Sequence, residues 1–322
     1  MVAAMAIGIT LGDPAGIGPE VVAAALAAAP PAVRAEVIVF GDPACLAAGA
    51  RAMGVDLDPA LRCQGPAVGP VVPGRPDERS GAAQVAWLDG AIAAAQTGAI
   101  DALVTAPISK TWARRAGLAF PGHTELLADR LGAREVAMTF VGPRLVVALA
   151  TVHLPLAAVP GALTVERIVA VGQLLAAALA TELGRPAPIR LGIVGLNPHA
   201  GEGGLLGDDE LRLVAPAVEA LAASLGAAAI VDGPLVPDAA FRDACDGRYH
   251  GLVALYHDQA LIPVKLIDFE RAVNVTLGLP IVRTSPDHGT AYDLAGTGRA
   301  RPTSTVAALE LAVAMRAARG RR

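Results

Sequence analysis

Leu145-Val146-Val147-Ala148-Leu149-Ala150-Thr151-Val152-His153-Leu154-Pro155 decides what kind of chain this is. It opens the 21 residues Leu145 to Val165, which hold no Asp, Glu, Lys or Arg and are nominally long enough to span a bilayer. His153, Pro155, Pro160 and Gly161 break that stretch into a strand, a loop and the approach to a helix. Leu145–Ala150 lacks polar alternation, as expected of a strand buried on both faces of a parallel sheet.

The same reading extends outward. Ala6–Leu11, Glu36–Phe40, Ala102–Thr105, Ile189–Val194, Gly251–Leu255 and Asn274–Leu277 join Leu145–Val152 as strands. Pro19–Ala29, Ser80–Gly98, Glu125–Leu131, Thr164–Leu183, Asp208–Leu225 and Val306–Ala318 read as helices between them. This order implies α/β architecture, with parallel strands joined by crossover helices and a sheet covered on both sides. Gly65–Asp77, rich in Pro and Gly, reads as an exposed excursion.

Composition narrows the class. The 322 residues suggest two domains or one large α/β unit. With 54% hydrophobic and 17% charged residues, the chain is excluded from the disordered class. A net charge of −4 leaves no basic footprint, so no nucleic acid is expected as a partner. The mean hydropathy of +0.51 comes largely from alanine, and the N-terminus lacks a signal-peptide pattern. Cys45, Cys63 and Cys245 are scattered and odd in number, which fits a reducing compartment. The expectation is a cytoplasmic protein with no membrane partner.

Chemistry gathers at strand ends. His153, His199 and His257 each follow the carboxyl end of an expected buried strand, the edge where open α/β sheets bind ligands. A lone histidine in such a place is more often a hydrogen-bonded loop residue. Three in equivalent places point to imidazole ligands of a divalent metal with an open position. Gly12-Asp13-Pro14-Ala15-Gly16-Ile17-Gly18-Pro19-Glu20 links a strand to a helix that Pro19 can start. It matches neither G-x-G-x-x-G nor a Walker A loop, so a tight βα turn is the simpler reading and an anion cradle the other. Lys110 stands near a helix start, where it either meets an anion or is solvated. Asp287–Gly298 is a Gly-rich loop after the strand region around Arg283, whose small residues would let a flat or phosphorylated ligand approach the backbone; the plainer reading is a long surface loop, and its His, Asp and Thr favour function.

Four stretches together identify a family resemblance. They are Gly122-His123-Thr124-Glu125, Gly195-Leu196-Asn197-Pro198-His199-Ala200-Gly201-Glu202, Tyr256-His257-Asp258-Gln259 and Arg283-Thr284-Ser285-Pro286-Asp287-His288-Gly289-Thr290-Ala291. In this order they resemble the 4-hydroxythreonine-4-phosphate dehydrogenase family of pyridoxal phosphate biosynthesis, over nearly the whole chain. The Gly289–Gly298 loop also resembles the adenosine-binding loop of isocitrate and isopropylmalate dehydrogenases.

The resemblance implies a two-lobed α/β/α sandwich with a mostly parallel sheet. Residues 1–130 plus 285–322 are expected in one lobe with the cofactor loop, and 131–284 in the other with the metal and substrate loops. It implies NAD or NADP as cofactor, and one divalent metal, Zn by ligand type with Mg or Co as alternatives, on His153, His199 and His257. It implies substrate contacts from His123, Thr124, Lys265, Asn274 and Arg283, and cofactor contacts from Gly289, Thr290, Ala291, Asp293 and Gly296. The reaction implied is oxidation of 4-phosphooxy-L-threonine to 2-amino-3-oxo-4-phosphooxybutanoate, then decarboxylation to 3-amino-2-oxopropyl phosphate. Lys265, Asp238 or a metal-bound water is the base for the hydroxyl proton. The family implies a homodimer with a shared active site. Leu206, Asp209 and Ala239 depart from the family pattern without touching a proposed ligand. A sister dehydrogenase acting on a four-carbon phosphorylated sugar acid or an aromatic cis-dihydrodiol is the main alternative. A metal-dependent hydrolase and a non-catalytic binder rank below it.

Overall fold

The computed structural model describes residues 6–120 and 122–321. Its strands are β1 (Ala6–Thr10), β2 (Val37–Phe40), β3 (Arg62–Gln64), β4 (Ile100–Thr105), β5 (Ala137–Val141), β6 (Val146–Leu149), β7 (Ile189–Val194), β8 (Ala229–Leu235), β9 (Gly251–Ala254), β10 (Val273–Leu277) and β11 (Val282–Pro286). The chain divides into two compact units.

The first unit runs up to Arg134 and resumes with Leu279–Arg316. Its strand order is β3-β2-β1-β4-β11, and every pairing within it is parallel. The β1 residues Ile7 and Ile9 are almost wholly buried, as are Leu103 and Val104 of β4. Helices Gly18–Ala28, Pro43–Met53 and Glu78–Gln96 accompany these strands. Helix Pro43–Met53 is bounded by textual signals. Asp42 accepts from the Ala44 amide, Pro43 occupies the first turn, and Gly54 closes the helix at φ 64°. Arg316 ties the C-terminal helix Thr303–Arg319 to Glu36 and Asp101.

The second unit, Glu135–Gly278 with the chain from Ala317 on, has the order β10-β5-β6-β9-β7-β8. β5 pairs antiparallel with β6 and with β10, while β6-β9-β7-β8 is parallel. The β5–β6 hairpin is tied by buried Asp268, which accepts from the amides of Arg144 and Leu145 at 3.1 and 3.0 Å. Phe140, Val147, Leu149, Leu252 and Val264 share its core. The uncharged stretch from Leu145 becomes β6, a loop and two short helical turns ending at Ala162, so it is not one span. Among the described helices, the run Glu210–Ala228 is long and apolar enough by length and composition to cross a membrane; it buries Val214, Ala217, Val218 and Leu221 in the protein.

Compared with the boundaries expected at 130/131 and 284/285, residues 131–134 and 279–284 lie in the first unit and the chain from Ala317 in the second. The causes are local. β11 pairs with β4, which carries Val282–Thr284 into the first unit. Arg319 pairs with Glu182 at 2.7 Å in the second.

Candidate functional site

In the second unit, the three histidine loops leave adjacent strands. β6, β9 and β7 are parallel neighbours, so their carboxyl ends open on the same edge of the sheet. His153 lies four residues past β6, His257 opens the helix His257–Ile267 after β9, and His199 lies five residues past β7. The His153 and His257 rings stand 5.6 Å apart between centroids. Two imidazoles on one tetrahedral ion at a metal–nitrogen distance of about 2 Å place their centroids about 5 Å apart. His257 Nδ1 lies 2.6 Å from Asp258 Oδ1; a proton held between them would leave Nε2 available to a metal. This pair fits a metal.

His199 stands apart from it. Five consecutive residues, His199 to Gly203, have φ between 43° and 76°, and the His199 ring is directed to Glu202 at 3.6 Å. Among the described residues, no group of three or more His, Cys, Asp or Glu is positioned to hold an ion. The structure therefore brings together two of the three expected ligands. Lys265 lies on the same helix as His257, its ammonium 5.4 Å from the Phe269 ring centre. Asn274 is on β10, and its buried Oδ1 has no hydrogen-bond partner among the described residues. Asp238 is exposed in the first turn of helix Pro237–Cys245. His250 serves the framework, its Nδ1 accepting from the Arg190 amide at 3.2 Å.

In the first unit, a positive cluster is built from a strand and two helix starts. Arg283, on β11, is 3% exposed and donates from Nη2 to Thr105 Oγ1 at 2.7 Å. Burial pushes its pKa down to about 10, with Glu125 acting in the opposite sense, so it remains a cation at neutral pH. His123 begins the helix His123–Arg130, followed by Thr124. Burial, then the charges of Arg283 and Lys110, push its pKa down to about 3, which keeps the imidazole neutral. Its Nε2 is buried without a hydrogen-bond partner among the described residues. A guanidinium, an ammonium and a neutral imidazole with an unused nitrogen form a cluster suited to an anionic group. Lys110, exposed at the start of its helix, adds its charge to the field at His123.

The Gly289–Gly298 loop is also in this unit. Gly289, Asp293 and Gly296 are exposed, Thr290 and Ala291 are half-buried, and Ala291 adopts φ 41°. Sequence reading missed the buried carboxylates that hold the loops. Glu20 and Asp13 meet this loop, and Glu210 meets the stem of the His199 loop. A cavity of about 330 Å³ borders Gly16, Glu20, Pro73 and Gly296.

A curated relative from Desulfosudis oleivorans, named 4-hydroxythreonine-4-phosphate dehydrogenase, is 45% identical over 332 aligned positions, 98% of this chain and 97% of its own. The crystal structure of the Klebsiella pneumoniae protein of that name matches with a TM-score of 0.83 and 37% identity, covering 97% of this chain and 98% of that one. A terephthalate 1,2-cis-dihydrodiol dehydrogenase structure from Burkholderia xenovorans matches with a TM-score of 0.66 and 30% identity, over 96% and 98% of the two chains. Fold and relatives define an α/β oxidoreductase of the dehydrogenase class, which implies a nicotinamide cofactor. More narrowly, the chain belongs to the family described as pyridoxal phosphate biosynthetic protein PdxA, whose model matches residues 33–312.

Proposed function

We propose that this enzyme oxidises 4-phosphooxy-L-threonine. NAD⁺ or NADP⁺ takes hydride from C3 and a proton leaves the hydroxyl, giving 2-amino-3-oxo-4-phosphooxybutanoate. That β-keto acid then loses CO₂ to yield 3-amino-2-oxopropyl phosphate. The observation that carries the reading is the cluster of Arg283, Lys110 and neutral His123, which suits a substrate with a phosphate or carboxylate.

In this reading Arg283 and Lys110 neutralise the substrate anion, and His123 and Thr124 fix its orientation through hydrogen bonds. Asn274 offers both a donor and an acceptor toward an amino-acid head group. Lys265 and Asp238 are the side-chain candidates for the hydroxyl proton. His153 and His257, with His199 joining from its loop, hold one divalent ion, Zn by ligand type. When bound, that ion supplies Lewis-acid polarisation of the reacting hydroxyl. Gly289, Thr290, Ala291, Asp293 and Gly296 receive the dinucleotide. The active species is a homodimer with a shared site, working in the cytoplasm.

The similarity to the terephthalate dihydrodiol dehydrogenase supports a second reading, in which the anion is an aromatic carboxylate. Purified enzyme with each dinucleotide, Zn²⁺ or Mg²⁺, and a panel of 4-phosphooxy-L-threonine, a four-carbon phosphorylated sugar acid and a cis-dihydrodiol separates them by nicotinamide absorbance. Preference for the phosphorylated amino acid by at least a hundredfold in kcat/KM is expected. Equal or better turnover of another substrate would overturn the first reading.

A further inference from the structure

The turn Gly12–Glu20 has no part in the reading above, although every residue in it is buried. It meets the Gly289–Gly298 loop at three places. Tyr292 Oη donates to Asp13 Oδ2 at 2.6 Å. The Ile17 amide donates to Thr290 O at 2.9 Å. The amides of Gly296 and Gly298 donate to the two oxygens of Glu20, at 2.5 and 3.2 Å. Ile17 and Val21 pack with Ala295 and Ala300 beneath the loop. The approach leaves no room for side chains. A Cβ on Gly16 would lie 2.7 Å from Thr290 O.

Glu20 stands in the first turn of helix Gly18–Ala28 at 3% exposure. A solvated acid would serve the helix dipole there without the cost of burial. The two amide donors offset that cost, and they belong to the loop. Resting on the reading of this loop as the dinucleotide site, we propose that Glu20 is a positioning residue for the nicotinamide cofactor. Its carboxylate fixes the Leu294–Gly298 backbone before the dinucleotide arrives, so that binding does not have to order the loop.

The test uses the full-length enzyme and Glu20→Gln. Backbone hydrogen exchange over residues 289–298 is measured without cofactor, and NAD⁺ and NADP⁺ affinities are measured by calorimetry. The amide of Gln replaces one acceptor by a donor facing a backbone N–H. Exchange at Gly296 and Gly298 should rise about tenfold, and the dissociation constant of the preferred dinucleotide should rise about tenfold, the consequence of one lost charge-assisted bond. Metal content should not change. Should Glu20→Gln fail to fold, Glu20→Asp keeps the charge at the helix start, withdraws it from the amides, and is read in the same way. Faster exchange with unchanged affinity, or unchanged exchange, would overturn the positioning role while the cofactor reading stands. If the unmodified enzyme binds neither dinucleotide, the cofactor reading falls and the positioning role falls with it.

Discussion

Two loops, one in each unit, are held by the same device with different reach. Glu20 takes the amides of Gly296 and Gly298 at the far end of its loop, while Ile17 and Val21 anchor the middle. Glu210, buried at the start of the helical run Glu210–Leu225, takes the amides of Leu196 and Asn197 through one oxygen, both at 2.7 Å. Its other oxygen accepts from Asn197 Nδ2 at 3.0 Å. Its carboxylate also packs against buried Gly201, but its hydrogen bonds hold the stem. Beyond it His199–Gly203 runs through left-handed backbone, and the His199 side chain is 69% exposed. On the reading proposed above, the loop held along its length is set before its ligand comes, whereas the loop held at its stem would have its tip ordered by the ligand, at a cost in affinity. His153 and His257, whose rings lie 5.6 Å apart, are on neither loop, while His199 is on the one held at its stem.

The strongest way to break this comparison is to remove the histidines. His153→Ala, His257→Ala and His199→Ala should each lower kcat by more than about a hundredfold, above the range typical of changes behind the ligands, with loss of bound metal. Metal analysis beside steady-state kinetics reads both. His250→Ala should keep metal and kcat, since that ring serves the Arg190 backbone. Full metal content and normal kcat in His199→Ala would make its exposed position its resting place and return it to a loop role.

Arg283→Lys comes next. Lysine keeps the charge but loses the planar fork and the Nη2 bond to Thr105. KM for the phosphorylated substrate should rise by about tenfold or more, with dinucleotide affinity unchanged. An unchanged KM would remove the anion role from the first unit. Glu210→Gln sharpens the two-loop contrast. It should weaken metal binding about tenfold by loosening the stem under His199, while leaving dinucleotide affinity intact. Glu20→Gln should do the reverse, and a shift of both ligands by either variant would show that the clasps act only on general stability.

Much of this was legible in the sequence because it depended on local apolar runs. β7 was readable to the residue as Ile189–Val194, and β1, β2, β6 and β9 to within a few positions at either end. β11 was legible only as a strand region around Arg283 without bounds, because it reads Val-Arg-Thr-Ser-Pro and buries Arg283, Thr284 and Ser285, reversing the usual code. β3 is three residues long at a sheet edge, too short for any period. Helix His257–Ile267 was hidden by Pro263 in its interior. Helix Pro43–Met53 carried readable signals in Asp42, Pro43 and Gly54 that periodicity alone did not use. The histidine placement was visible from strand ends, but the adjacency of β6, β9 and β7 is a property of topology. Glu20 could not be recognised, because the amides that explain its burial lie 276 and 278 residues away.

The smallest expected effect concerns His123 and the pH dependence of stability. In the folded protein its pKa is pushed down to about 3 by burial and by the charges of Arg283 and Lys110. In the unfolded chain it titrates near its ordinary value, about 6.5. Between these values the unfolded chain holds a proton that the folded chain does not, so stability rises with pH across the window. The contribution is complete above about pH 7 and is progressively lost as pH falls toward 3. Thermal unfolding at pH 7, 6 and 5 should show a steeper fall in Tm for the unmodified enzyme than for His123→Gln, which has no such proton to take up. The same low pKa keeps the ring neutral during turnover, so substrate KM should show no inflection near pH 6.5 that His123→Gln abolishes. Parallel Tm curves for the two proteins would mean that the ring takes up its proton in the folded state as readily as in the unfolded chain, and the positive cluster around Arg283 would then need a resident anion to hold it.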